Sequence, residues 1–249
     1  MQRIIILNTK GGCGKTTIAT NLASAYADSG LSTSLMDYDP QGSSTRWLSL
    51  RSAERPTIHG VEAHKKPRGN VTRVWQNRII PNTDRVILDA PAGFDHTQLL
   101  EFIRQIDTVI IPVLPSPIDI YAATRFVEDL LLVAKVRQLG VRVGVVANRA
   151  KKTTKIYQSL ERFLKTLHLP FLTTLRDTQN YVNAAERGIG IHEMWDKRAD
   201  VDKEHWQPLL SWLEEGYSDG VVGTENTTRL RSNNVSSSGN NAKGILPVA

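Results

Sequence analysis

The stretch IIILNTKGGCGKTTIATNLASAYA, Ile4 to Ala27, joins three kinds of residue in an order that restricts the backbone. It opens on a β-branched apolar run, as a strand buried on both faces requires. Gly11, Gly12 and Gly14 then allow a tight loop, and from Thr16 onward apolar residues recur at the three-to-four spacing of a helix. A strand, a glycine-rich loop and a helix in succession make a cradle for phosphate, because loop N–H groups turn inward and the positive end of the helix dipole adds to them. In such a cradle Lys15 reaches the β/γ oxygens of a nucleotide and Thr16 offers its hydroxyl to Mg²⁺. The expected nucleotide contacts are Gly11, Gly12, Cys13, Gly14, Lys15, Thr16 and Thr17. The common pattern G-x-x-x-x-G-K-[ST] is not met, since Thr9 stands where its first glycine belongs and an additional lysine, Lys10, opens the loop.

Outward from this stretch the same alternation continues. Arg3–Leu7, Ser32–Asp37, Arg85–Asp89, Thr108–Leu114 and Val141–Ala147 are short and apolar, as buried parallel strands are. Thr16–Ser29, His96–Gln105, Asp119–Gln138 and Thr153–Leu167 carry helical periodicity, the last with Ile156, Leu160, Phe163, Leu164 and Leu167 in one stripe. Strand and helix alternating over most of the chain predict an α/β fold: a doubly wound, mostly parallel sheet with helices on both faces. Arg46 to Asn82 is less periodic and reads as a short helix and an irregular excursion. Residues 1–216 read as one domain; residues 217–249 are rich in Ser, Asn, Gly and Thr and are expected to stay disordered, having too little apolar surface to bury.

Composition narrows the classes. With 249 residues, 40% of them hydrophobic and 22% charged, the chain can bury a sizeable core without staples. One cysteine forms neither an intrachain disulfide nor a Cys-only metal site, which points to the cytoplasm. No apolar run is long enough for a membrane span, and the N-terminus lacks the pattern of a signal peptide. A net charge of +6 favours a polyanionic partner.

Two carboxylate motifs complete the site. LMDYDPQGSST (Leu35–Thr45) and RVILDAPAGFD (Arg85–Asp95) each place an aspartate at the end of an expected strand, where sheets of this kind bind ligands. Asp89 is thereby positioned to hold a Mg²⁺-bound water. A guanine site would show Asn-Lys-x-Asp after a late strand; VVANRAKK has Arg149 and Lys151 in place of the Lys and Asp, so adenine is favoured.

At KGGCGKTT the chain resembles the deviant Walker A branch of the P-loop NTPases, the ParA/MinD family. PVLPSPIDIYAA (Pro112–Ala123) and LRDTQNYVNAAERG (Leu175–Gly188) look like its small, single-domain ParA branch. The resemblance implies a Mg²⁺-dependent ATPase, slow unless stimulated, converting ATP to ADP and phosphate. Lys10, Lys15 and Asp39 would be catalytic: Lys10 reaching the nucleotide of a partner subunit, Asp39 orienting the attacking water. Asp37 would join Thr16 and Asp89 around Mg²⁺, Pro40–Gln41 and Ala90–Gly93 would be switch segments, and Asn148 would meet the adenine edge. The nitrogenase iron protein branch is excluded, because it needs cysteines for a bridging cluster. The MinD type ends in a basic amphipathic helix that this tail lacks, so no membrane is expected as a partner.

The ParA type binds nucleoid DNA non-specifically as an ATP homodimer, through phosphate contacts. From Lys135 to Lys165 there is a single acid, Glu161, among many cations, and Lys151, Lys152 and Lys155 are the candidate contacts, with Arg176, Lys197 and Arg198 behind them. His64–Arg78 is a second basic cluster. The resemblance then implies a nucleoid-associated ATPase that positions a cargo, its hydrolysis stimulated by an adaptor of ParB or McdB type. The loop and the PSPIDI stretch look most like the carboxysome-positioning McdA group; plasmid or chromosome partition is the alternative, and an ATP-dependent biosynthetic ligase is an alternative of another class.

Overall fold

The computed structural model describes residues 1–64, 80–166 and 169–215. The chain divides into two units, Met1–Leu209 and Leu210–Ala249; of the second, residues 210–215 are described and helical. The compositional boundary after residue 216, the basic residues 65–78 and Leu167 lie outside the described residues.

The first unit is built on seven strands: β1 (Gln2–Ile6), β2 (Thr33–Asp37), β3 (Ile58–Glu62), β4 (Arg85–Asp89), β5 (Thr108–Val113), β6 (Arg142–Ala150) and β7 (Phe171–Arg176). They lie in the order β3-β2-β4-β1-β5-β6-β7 and every pair is parallel. The helices are α1 (Lys15–Asp28), α2 (Ser43–Ser49), α3 (His96–Ile103), α4 (Pro117–Glu128), α5 (Lys155–Thr166) and α6 (Gln179–Glu186). Residues 200–209 are also helical. Alternate strand residues serve two faces. Ile5, Leu7, Val86 and Leu88 pack with Leu99, Phe126, Val127, Leu160 and Leu164 from α3, α4 and α5. The intervening Ile4, Ile6, Leu35 and Ile87 are equally buried and face the side of α1, whose Ala19 and Ala23 let it lie close to the sheet.

This is the doubly wound parallel sheet expected; β7, α6 and the helix over residues 200–209 lie beyond the expected elements, and two of the expected stretches differ. The first is β3, inside the stretch read as irregular. Of its sequence IHGVE only Ile58 is buried, with His59 and Val61 half-buried, as suits an edge strand, so it shows no continuous apolar run. Gly60 at its centre accommodates α2, because Leu48 Cδ1 stands 2.7 Å from where a Cβ would be. The second is α4, which starts two residues before Asp119: Ser116 accepts the Asp119 amide as N-cap and Pro117 takes the first helical position. It gives way at Asp129–Val133 to a π-helical turn rather than running on to Gln138.

Topology locates the site. The connection leaving β1 runs toward β2 and the one leaving β5 runs toward β6, on opposite sides, so their loops part at the carboxyl edge of the sheet. The Lys10–Gly14 loop sits at that parting.

Candidate nucleotide site

The loop is held from below by Asn8, which is buried. Its Nδ2 donates to the Pro112 carbonyl of β5 at 2.7 Å and its Oδ1 accepts the Lys10 amide at 3.0 Å. Gly12 and Gly14 take φ of 75° and 94°, the left-handed region that side chains disfavour. At Gly14 space is also decisive: a Cβ would come 2.0 Å from Asn148 Nδ2. That amide donates to the Cys13 carbonyl at 2.8 Å, so Asn148 props the loop from β6. Lys15 is only 7% exposed and its Nζ donates to the Lys10 carbonyl at 3.2 Å, which folds the ammonium back across the loop. Gly14 is the N-cap of α1 and no side chain caps that helix, leaving its first-turn amides to an anion. Burial pushes the Cys13 thiol up, so the sole cysteine is an inert packing residue.

Asp37 and Asp89 end adjacent strands and are directly paired in the register of β2 with β4. Their environments differ sharply. Asp37 accepts the Asp39 amide at 3.1 Å and the Thr45 amide at 2.9 Å, one on each oxygen, and so shapes the turn between β2 and α2. Asp39, half-buried, accepts the Gln41 amide at 2.9 Å in the same turn. Asp89 is wholly buried and neither of its oxygens closes a hydrogen bond. Burial, reinforced by the charge of Asp37, pushes its carboxyl up to about 7, while the neighbouring Thr16 and Ser44 hydroxyls and Lys15 pull the other way. An unpartnered buried carboxylate beside Thr16 fits Mg²⁺. Among the described residues no three His, Cys, Asp or Glu side chains gather, which suits an ion that keeps its waters and shares phosphate oxygens.

A cavity of about 330 Å³ opens beside the loop. Its walls are Thr16, Thr17, Thr20 and Asn21 of α1, Arg46 and Trp47 of α2, and Tyr181, Ala185 and Glu186 of α6. Sequence reasoning did not find Trp47, Tyr181 or Glu186, since no motif marks them and α6 reaches α1 only through the fold. Asn148 does not line this cavity.

The candidate cations fall into two groups. Lys151 and Lys152 are exposed in the turn after β6, ahead of α5 rather than on its polar side, and Lys155 opens α5. Lys152 stands close enough to His205 to help burial push that imidazole below its usual range. Lys197 and Arg198 are exposed on a 3-10 turn, Lys197–Ala199. Arg176, expected beside them, is spent internally. Its guanidinium grips the buried Asp202 through both oxygens and donates to the Arg198 carbonyl at 3.2 Å. Lys10 is half-buried at the opening of the loop.

A parallel sheet with a glycine loop at its crevice, a helix N-terminus behind the loop and an unpartnered carboxylate alongside defines a nucleotide-binding α/β domain. The chain belongs to the CobQ/CobB/MinD/ParA nucleotide-binding domain family, whose model matches residues 4–191. It is similar to the maintenance of carboxysome distribution protein A of Halothiobacillus neapolitanus, 30% identical over 77% of this chain and 87% of that protein. The protein of the same name from Gloeobacter kilaueensis is 34% identical over 86% of this chain and 94% of its own. Among solved structures, an ATP complex of McdA from Cyanothece superposes with a TM-score of 0.65 at 17% identity, over 88% of this chain and 96% of that one.

Proposed function

We propose that this chain is an ATPase that closes as a dimer around two ATP molecules, binds duplex DNA in that state without regard to sequence, and positions carboxysomes. The observation that carries the reading is the loop itself. Lys15 is folded inside the loop and suited to a phosphate held in its own cradle, whereas Lys10 opens the loop, where it can meet a phosphate from outside. A cation arriving from the partner subunit supports charge on the transferring phosphoryl group as an arginine finger does. The cargo rests on likeness to proteins named for carboxysome distribution over most of their length.

Each residue has a place in this reading. The Gly11–Gly14 amides and Lys15 hold the β- and γ-phosphates, and Thr16 with Asp89 holds the metal, which neutralises charge on the phosphate oxygens when bound. Asp37 shapes the turn that carries Asp39, and Asp39 orients water. Asn148 gives one Nδ2 hydrogen to the Cys13 carbonyl, and its Oδ1 is an acceptor suited to the amino group of adenine. Lys151, Lys152, Lys155, Lys197 and Arg198 meet DNA phosphates, and an adaptor of McdB type stimulates hydrolysis.

Light scattering with ATP and Mg²⁺ tests the dimer. Asp39→Ala should persist as a dimer with ATP and be monomeric with ADP, while Lys15→Ala should lose nucleotide binding outright. A monomeric Asp39→Ala protein saturated with ATP would remove the sandwich. Turnover without an adaptor should stay well below ~10 s⁻¹. Rapid turnover with neither adaptor nor DNA would favour a metabolic enzyme on the same scaffold.

A further inference from the structure

Three hydroxyl residues open α2 in succession, and burial separates them: Ser43 is exposed, Thr45 half-buried and Ser44 wholly buried. The Ser44 Oγ closes no hydrogen bond among the described residues, which is unusual for a buried hydroxyl. Further along the same helix Ser49 meets its need locally, donating to the Arg46 carbonyl at 2.7 Å. Ser44 has no earlier turn of its own helix to accept from it, since α2 begins at Ser43. One hydrogen bond and one strand register fix where it lies. The next residue, Thr45, gives its amide to Asp37 Oδ2 at 2.9 Å, and Asp37 stands directly opposite Asp89 in the pairing of β2 with β4. Ser44 is thereby brought beside Asp89, near enough for its hydroxyl to favour the ionised carboxylate. Both Asp89 oxygens are themselves unpartnered, so a donor without an acceptor and an acceptor without a donor stand side by side in the interior. Thr16, the other hydroxyl near Asp89, is a metal ligand in the proposed site, which leaves Ser44 to hold the carboxylate.

We propose that Ser44 is a positioning residue of the metal site: its hydroxyl donates to Asp89 when that carboxylate serves Mg²⁺, and so holds α2 against the loaded site. The inference rests on the assignment of Thr16 and Asp89 to the metal. A hydrogen bond to an anionic acceptor is about twice as strong as one between neutral groups, and partners of this kind orient a carboxylate that serves a metal. Ser44 belongs to α2 and Asp89 ends β4, so the bond joins the helix to the centre of the sheet. The turn immediately ahead of α2 carries Asp39, which accepts the Gln41 amide there. Occupancy of the metal site is in this way passed to the segment that orients water, through a residue that touches neither the nucleotide nor the water.

The fluorescence of mant-ADP bound to the full chain, titrated with Mg²⁺, tests the bond. The Mg²⁺ concentration that half-saturates the ADP complex should rise about tenfold or more in Ser44→Ala, while affinity for mant-ADP in EDTA stays within twofold of wild type. Hydrogen exchange reads the helix directly. The amides of Thr45–Leu48 should slow severalfold when Mg²⁺ is added to the wild-type ADP complex, and should not respond in Ser44→Ala. Ser49→Ala, which removes a hydroxyl already bound to Arg46, should follow wild type in both measurements. Without nucleotide, Ser44→Ala should melt no lower than wild type, because the hydroxyl it removes is unbonded. An unchanged Mg²⁺ requirement in Ser44→Ala overturns the proposal and leaves the metal site standing, whereas a wild type that gains nothing from Mg²⁺ overturns both. Equal losses of mant-ADP affinity with and without Mg²⁺, or a lowered melting temperature, assign the hydroxyl to the fold and overturn the proposal as well.

Discussion

Asp89 shows how a single residue can be costly to the empty fold and useful to the loaded one. Its carboxylate has no hydrogen bond and no exposure, and its pKa stands at about 7 against an ordinary 3.8. A carboxyl raised in the folded state is protonated there at pH values where the unfolded chain has released its proton. The nucleotide-free protein is thus free of this penalty below the ordinary value, loses stability as pH rises through that window, and bears the whole penalty above about 7, on the order of a few kcal/mol. Asp89→Asn removes the charge and nearly keeps the shape. It should raise the melting temperature of the nucleotide-free protein at pH 8 by at least about 3 °C, with a gain that shrinks toward pH 5. A gain equal at both pH values would mean that charge is not the cause. Gly14 and Asn148 are bound together in the same manner, since the loop conformation and the space for it come from different strands.

Between elements, one ion pair ties α2 to the segment that follows α6. Arg51 donates to both oxygens of Glu193, at 2.7 and 2.8 Å, across 142 positions of sequence, with side chains 5% and 0% exposed. Gly188 lets the two segments touch, for a Cβ there would lie 2.5 Å from the Arg51 amide. Because α2 follows the Asp37–Asp39 turn and α6 lines the cavity, the pair holds both walls of the site in one geometry. Removing one partner strands a buried charge. Glu193→Ala should lower the unfolding free energy in urea by about 3–5 kcal/mol, whereas Arg51→Met with Glu193→Leu should recover much of the loss. Recovery is the discriminating result: if the double variant is as unstable as the single one, packing rather than charge is at stake.

At the scale of the whole molecule the net charge of +6 is spread over surfaces that the fold selects. Arg176 is paired with the buried Asp202 at a partly exposed position, and the other candidate cations, the Lys151–Lys152 turn with Lys155 at the start of α5 and the Lys197–Arg198 turn, are exposed. Replacing Lys151, Lys152 and Lys155 with Glu should abolish the ATP-dependent association with duplex DNA and leave dimerisation intact. Folding should survive, because all three are exposed and a glutamate at the first position of a helix complements its dipole. Loss of affinity should be uniform across sequences, with a shallower dependence on salt in whatever binding is left. Wild-type DNA binding by this variant, measured by fluorescence anisotropy, would move the contact surface to Lys197 and Arg198.

The sequence by itself determined the parallel α/β sheet, the phosphate loop and the two strand-end aspartates. These are local signals: β-branched runs, glycines where the backbone turns left-handed, and carboxylates at strand ends are legible within a dozen residues. The family resemblance puts Asn148 at the adenine edge, whereas its bond to Cys13 spans 135 positions and only the folded chain shows that the amide props the loop. Tertiary structure alone decided the rest. The edge strand β3 carries too little apolar periodicity to be seen before β2 is there to pair with it. The cavity walls from α6, the clamp between Arg51 and Glu193 and the pairing of Arg176 each depend on partners far apart in sequence. Which lysine is free and which carboxylate is orphaned follows from burial, a property of packed elements that no run of residues carries alone.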